Sequence, residues 1–330
     1  MPAITTGATS LDVLKINNSE EIIGVIDDAI KTIPELGYFD ASPVTRNAYK
    51  TLVITALPKV GFRTPGTFAE QKAAVLAARD VQCAHLDASW SIDDALATQS
   101  DWGKDTAFAI ETTTHLRAAF FTLSRQIWYG TNTVAGDTAG FPGLYQLIGG
   151  TAPNHSNADL HIDAGAAKAR QDAITNEETP VDTNLTSVFA VTSGLDGIQI
   201  AWGSEGMITQ GDVVKQQLMN SAGNMAWFDC QQIECWAGLQ VTSEFAFGRI
   251  HGINKNYPLT DDLLYELLSR FPSGKEPTAI FMNRYALEQL RRSRTAVNAT
   301  GAPAPRPDEV SGVKIYVTDA ILNNEETLSS

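Results

Sequence analysis

The sequence predicts an α+β protein of about two domains, and three observations predict it. A single apolar stripe runs through Thr106–Tyr129, which reads as one dominant helix. Several stretches rich in β-formers lie outside that helix, the longest being CWAGLQVTSEFAFGRIHGI, Cys235–Ile253. The chain has 330 residues, 43% of them hydrophobic, enough for a sizeable core.

Taken in order, residues 1–18 read as a loose arm. Ser19 then caps a helix running to Lys31, with Ile22, Ile23, Ile26 and Ile30 on one face and Glu20 and Glu21 in its first turn; Pro34 lies just beyond. Residues 49–92 form a long excursion. YKTLVITAL is strand-like, PKVGFRTPG is turn chemistry, TFAEQKAAVLAARD is Ala-rich enough for a helix, and VQCAHLDASWSI returns as a strand. A hairpin with so little core alternation is marginal alone and needs a neighbouring domain or subunit.

The long helix comes next, with Asp105 as N-cap and Gly130 past its end. Phe108, Leu116, Ala119, Phe120, Leu123 and Ile127 make its stripe, and its length is about 36 Å. Residues 130–186 read as loops with a short helix near Asp163–Ile174. SVFAVTSGLDGIQIAW (Ser187–Trp202) reads as a hairpin around Leu-Asp-Gly. In Cys235–Ile253, taken as one strand, Leu239, Val241, Phe245 and Phe247 share a face. A capped helix from Thr260, a buried strand AIFMN, a helix RYALEQLRRSR, a Pro-rich loop and a last strand GVKIYVTDAIL complete the chain.

The net charge is −14, from 38 acidic and 24 basic residues, a poor balance for gripping phosphate and a good one for lying near DNA without adhering. Three cysteines (Cys83, Cys230, Cys235) give no disulfide framework. The start MPAITTGATSLDVLK has neither the basic nor the apolar region of a signal peptide, and no apolar run approaches a membrane span. Catalytic motifs are missing too. There is no Gly-x-Ser-x-Gly, no phosphate loop around Gly274-Lys275, and no Gly-x-Gly-x-x-Gly. His155 and His161 with Asp159 and Asp163 are the one metal-site candidate, but their spacing matches no known ligand set, and solvated loop residues are the default. Cys230 and Cys235 read as small buried hydrophobes, and His115 as an ordinary helix histidine. Arg284, Arg291, Arg292 and Arg294 read either as a partner-binding patch or, by default, as a solvated helix face. No cofactor and no enzymatic activity are expected.

Four stretches together resemble the tailed-phage major capsid proteins of the gp7 type. Trp236, Gly238, Leu239, Val241, Arg249, Ile250 and Ile253 match one signature. TALPKVGFRTPG (Thr55–Gly66), AIFMNRYALEQLRR (Ala279–Arg292) and GVKIYVTDAILNNEE (Gly312–Glu326) match three more in order, from about residue 20 to 326. Pro65 and Lys314 depart from the pattern, where the family carries Asn and Pro.

The resemblance implies an HK97-like capsid fold with an N-terminal arm (1–48), an extended E-loop hairpin (49–92), a peripheral domain with a long spine helix (93–140 and 187–255) and an axial domain with the closing strand (141–186 and 256–330). It implies self-assembly into hexamers and pentamers of an icosahedral virion shell around double-stranded DNA, built in the host bacterial cytoplasm. Partners would be a separate scaffolding protein, since the arm and E-loop fill the chain before the spine helix, a portal protein and, where the particle has one, a decoration protein. Inter-subunit contacts are expected at Lys59, Phe62, Arg63, Lys72, Arg249, Arg291 and Arg292. No Asn or Glu stands out to support Lys–Asn cross-linking, which is not expected. The competing classes are an encapsulin-like nanocompartment shell, a metal enzyme at the His155–His161 loop, and a tail or decoration protein.

Overall fold

The computed structural model describes residues 31–44, 48–58, 60–67, 73–99, 103–132, 135–148, 158–165, 169, 184–203, 208–220, 223–298 and 302–325. Residues 1–30, which hold the outer part of the arm and nearly all of the helix read from Ser19, lie outside them, as do Lys59, Lys72, His155 and most of the Asp163–Ile174 segment.

The chain opens with a short helix α1 (Glu35–Tyr38) and strands β1 (Asp40–Pro43), β2 (Ala48–Ala56), β3 (Val75–Asp87) and β4 (Trp90–Asp93). Helix α2 (Asp94–Thr98) is capped by Asp93, and α3 (Lys104–Tyr129) is the long helix. Then come α4 (Leu144–Ile148), β5 (His161–Asp163), β6 (Thr186–Val191), β7 (Ile198–Trp202), β8 (Thr209–Met219), β9 (Met225–Val241) and β10 (Phe247–Ile253). Thr260 caps α5 (Asp261–Ser269) and Asn283 caps α6 (Arg284–Ala296) after β11 (Ala279–Met282); β12 (Glu309–Val310) and β13 (Val313–Val317) close the chain.

Two sheets result. One runs β1-β7-β9-β3-β2, with β4 and β8 also on β9; the other runs β12-β13-β11-β6-β10-β5. Strand β9 organises the first sheet because its 17 residues are long enough to pair β7 and β3 at one end and β4 and β8 at the other. Close strand approach explains Gly238: a Cβ there would lie 2.7 Å from the Gln82 carbonyl oxygen.

The central strand β6 is buried along its whole length, and its alternation feeds two cores. Phe189 and Val191 join Leu123, Ile127 and Trp128 of α3; Val188 and Ala190 join Leu264 and Leu267 of α5 and Leu287 and Leu290 of α6. The first half of α3 covers a third cluster, in which Phe108 and Leu116 pack on Trp90, Ile92 and Ile233. Lys104 in its first turn pairs with Asp94 and Asp229, each at 2.7 Å, and Lys104 and Lys215 hold the Asp94 carboxyl down to about 2.

Several expectations are corrected. Cys235–Ile253 is not one strand: Ser243 turns the chain, its hydroxyl accepting the Phe245 N–H, and β9 and β10 fall in different sheets. Phe245 therefore leaves the face of Leu239 and Val241 and packs on the α5/α6 side. Ser187–Trp202 is not a hairpin either. The turn at Gly194–Gly197 exists, but it carries the chain from β6 in one sheet to β7 in the other. The two crossings bond each other, Thr192 N–H to the Ala246 carbonyl and Thr242 N–H to that of Gly197. The six-stranded sheet thus draws strands from both 187–255 and 256–330. Val75–Asp80 is strand, not helix, because cross-strand pairing with β2 overrides alanine propensity. The return strand breaks at Ala88-Ser89, where Asp87 accepts from the Ser89 N–H and hydroxyl. Helix α3 begins at Lys104, so Asp105 lies in the first turn rather than at the cap. Gly130 ends it at a φ of 59°.

Glu35 sits fully buried under α3, accepting the Trp128 Nε1–H at 2.8 Å. Burial raises its pKa above 4.5, against the opposing bonds from Thr318, its own backbone, Trp128 and Ser124. A carboxyl held protonated in the fold but ionised in the unfolded chain costs stability as pH rises above 4.5 toward the folded pKa. Glu35→Gln keeps an acceptor for Trp128 and removes that cost. Thermal unfolding from pH 4 to 8 should show Glu35→Gln gaining on the parent as pH rises; parallel profiles would refute this.

Candidate assembly surfaces

The clearest functional surface is the β2–β3 hairpin. Among the described residues strand β2 pairs only with β3, and only the inner end of β3, Cys83–Asp87, joins β9. Among the described residues from 50 to 80, none is buried. Ile54 lies opposite Leu76 and Leu52 opposite Ala78, so these side chains share one face. Leu52 is 68% exposed, and Leu57, Val60 and Phe62 continue the apolar run around the loop. Phe62 is entirely bare at 111%. Arg63 donates to the Thr67 carbonyl and closes the turn. Such a face, beside a free strand edge, is a surface for another chain.

A second hairpin, β8–β9, was not read from the sequence. Its turn is built by Asn220 and Gly223, and Val214, Met219, Met225 and Trp227 are exposed near its end. The signal was present: Asn-Ser-Ala-Gly-Asn separates two β-rich runs.

Arg249 sits inside the chain. Its side chain and that of Glu325 are each 6% exposed and lie 3.0 Å apart. Arg249 donates to the Ser187 hydroxyl, and Tyr129 and Ser187 donate to Glu325 at 2.6 and 2.5 Å. The guanidinium lies 4.0 Å from the Tyr145 ring centre. The expected acidic partner is thus Glu325 of the same chain, and the side chain is too enclosed to reach a neighbour. Burial and the Glu325 charge push the Tyr129 hydroxyl well above its usual range. Sequence reading found Arg249 but not Glu325, Tyr129 or Ser187.

The arginines of α6 lie on its outer face and make local bonds. Arg294 grips Asp261 with two bonds of 2.8 Å, Arg292 pairs with Glu288, and Arg291 donates to the Ala304 carbonyl. His161 does not meet Asp159 in a metal site; its ring packs against that of His251, tilted by 38° with centres 4.1 Å apart, next to Asp163. No cluster of three metal-ligating side chains occurs among the described residues. Cys235 is buried, while Cys230 is only partly so. No helix among the described residues is long and apolar enough to cross a membrane.

Two sheets bound by one long helix, with two hairpins whose apolar side chains the chain itself leaves bare, define a subunit made to associate. The family model of Major capsid protein GP7 matches residues 17–329, and the chain belongs to that family. Its fold is HK97-like. It is similar over 100% of both chains to a structure of bacteriophage Epsilon15, with a TM-score of 0.66 and 17% identity. Weaker likenesses are to the capsid of Myoviridae Phage XM1 (TM-score 0.46, 11% identity, 70% of this chain and 95% of that one) and to the SrpI encapsulin of Synechococcus elongatus PCC 7942 (0.43, 8%, 76% and 97%). No curated protein matches the chain. The protein is a major capsid protein, a component of the phage virion shell.

Proposed function

We propose that the β2–β3 hairpin is the E-loop and that it lies across an adjacent subunit in hexamers and pentamers of an icosahedral shell. The observation that carries this reading is the bare apolar face of Leu52, Ile54, Leu76 and Phe62. Each such side chain yields about 1.5–3 kcal/mol when fully buried, and many modest contacts make a tight shell from weak pairs. Lys59, Arg63 and Lys72 belong to the same contact, and Arg291 and Arg292 flank another on α6. The first sheet with α3 serves as the peripheral domain, and the second sheet with α5 and α6 as the axial domain. A separate scaffolding protein, a portal protein and, in particles that carry one, a decoration protein complete the assembly in the host cytoplasm. The shell holds double-stranded DNA without sequence-specific grip, and the subunit has no catalytic role.

Electron microscopy of the chain expressed alone and with its neighbouring reading frames tests this. Closed shells or six-fold rings are expected, and dependence on a second gene tests the scaffold. Phe62→Ser should raise the assembly threshold about tenfold and leave subunit stability unchanged, since a fully exposed ring loses no contact. Particles filled with protein cargo instead of DNA would favour an encapsulin-like shell. Normal assembly by Phe62→Ser would remove that side chain from the interface.

A further inference from the structure

Helix α3 carries a second feature that the shell reading does not use. A cavity of about 480 Å³ opens between it and the 135–138 loop, lined by Phe121, Thr122, Arg125, Gly136, Asp137 and Thr138. The loop's shape is held from below by Gln126, which donates to the Asp137 and Phe141 carbonyls and accepts the Asp137 N–H. Two cations converge on the Phe121 ring: the Lys31 ammonium at 3.7 Å and the Arg125 guanidinium at 5.8 Å. Neither pairs with a carboxylate among the described residues, and the buried Arg125 Nε has no hydrogen-bond partner. Leaving a buried guanidinium N–H unpaired is costly, so among the described residues the site lacks its anion.

We propose that this cavity is a carboxylate-binding site whose ligand is an acidic side chain of a second copy of the chain. A guanidinium fork with a nearby ammonium suits one carboxylate, which takes two N–H bonds. Asp137, whose Oδ1 already accepts the Ala139 N–H, also lines the cavity and disfavours the higher charge of a phosphate. Nucleic acid is further disfavoured by the net charge of −14. The chain itself supplies the ligand in excess, with 38 acidic residues against 24 basic and paired runs at Glu20-Glu21, Asp27-Asp28 and Glu177-Glu178. The inference rests on the shell reading, because only assembly brings a second copy to the site at high effective concentration.

The test uses shells co-assembled from unlabelled and heavy-nitrogen-labelled chains and treated with a water-soluble carbodiimide. That reagent joins a carboxylate to a touching amine as an amide, and is itself converted to a urea by the water removed. Lys31 supplies one amine and an Arg125→Lys variant a second. Mass spectrometry is expected to find these positions joined to an acidic peptide of this chain in mixed-isotope pairs. Single-isotope pairs only, joining to a different protein, or no joining at all would overturn the proposal. Shells seen by microscopy in the same sample keep that failure distinct from failure of the shell reading. Arg125→Gln should raise the assembly threshold about tenfold with an unchanged Tm, since Arg125 makes no ion pair among the described residues. Assembly at the parental threshold would also overturn it.

Discussion

Arg249→Leu is expected to lower the unfolding free energy of the subunit by about 3–5 kcal/mol. The cost comes less from the lost attraction than from what stays behind. Glu325 would remain buried with its charge, its carboxylate left with the Tyr129 and Ser187 hydroxyls among the described residues. Glu325→Leu should cost a similar amount, because Arg249 then keeps the Ser187 hydroxyl and the Tyr145 and Phe189 faces but no carboxylate among the described residues. The double variant should recover much of the loss, since an apolar pair replaces two desolvated charges. Urea unfolding of disassembled subunits, followed through buried Trp128, measures all three. Additive losses in the double variant would mean that the two side chains act separately. The pair has a structural consequence beyond its energy. Glu325 is held by Arg249 on β10, by Ser187 on β6 and by Tyr129 at the end of α3. Tyr129 in turn accepts the Leu322 N–H, and Asp319 exchanges bonds with Thr32 at the base of the arm. The C-terminal segment is therefore a strap joining the second sheet, the long helix and the arm. Breaking the pair should loosen all three together.

How much of this was legible in the sequence depends on the range of the force involved. The α3 stripe, the Thr260 cap and the buried run of β11 are local patterns, and they were read correctly to within two residues. The sheet assignment was not local. Alternation shows that β6 and β7 are strands but not that they enter different sheets, because that choice is made by partners at β10, β11, β9 and β1. The exposed hairpin was visible as an excursion without a core. Its Ala-rich return leg was misread because helix propensity is weak beside cross-strand hydrogen bonds. At Arg249 the motif marked the residue, yet its partner lies 76 positions away in a segment with no pattern of its own. Arg125 could not be singled out among the arginines, since lacking a partner is a property of the folded chain.

Acidification should destabilise the subunit between about pH 6.5 and 3, through His161 and His251. Register places His161 opposite Arg249 and Asp163 opposite His251 on the paired strands β5 and β10. Burial first, then the His251 and Arg249 charges, push His161 down to about 3, with Asp163 opposing; burial and Arg249 push His251 down to about 3. The rings pack against each other at a tilt of 38°, and the His161 Nε2 has no hydrogen-bond partner to take a proton's charge. Both rings therefore stay neutral in the fold while the unfolded chain protonates them below pH 6.5. The unfolded state binds more protons across that window, so stability falls as pH falls, and the effect fades over about one pH unit above 6.5. Two protons give a slope approaching about 2.7 kcal/mol per pH unit in the middle of the window. Urea midpoints between pH 7.5 and 5, above most carboxylate titration and on a Glu35→Gln background that removes the raised carboxyl, measure this contribution. His161→Phe with His251→Leu should flatten the slope while keeping two apolar side chains in contact between β5 and β10. The Arg249→Leu variant should also reduce it, because removing the neighbouring cation lets both imidazoles protonate at higher pH in the fold. If the double histidine variant keeps the parental slope, acid sensitivity originates elsewhere. A reduced slope in Arg249→Leu alone would assign it to the guanidinium, making the strap and the histidine pair one electrostatic unit on adjacent strands.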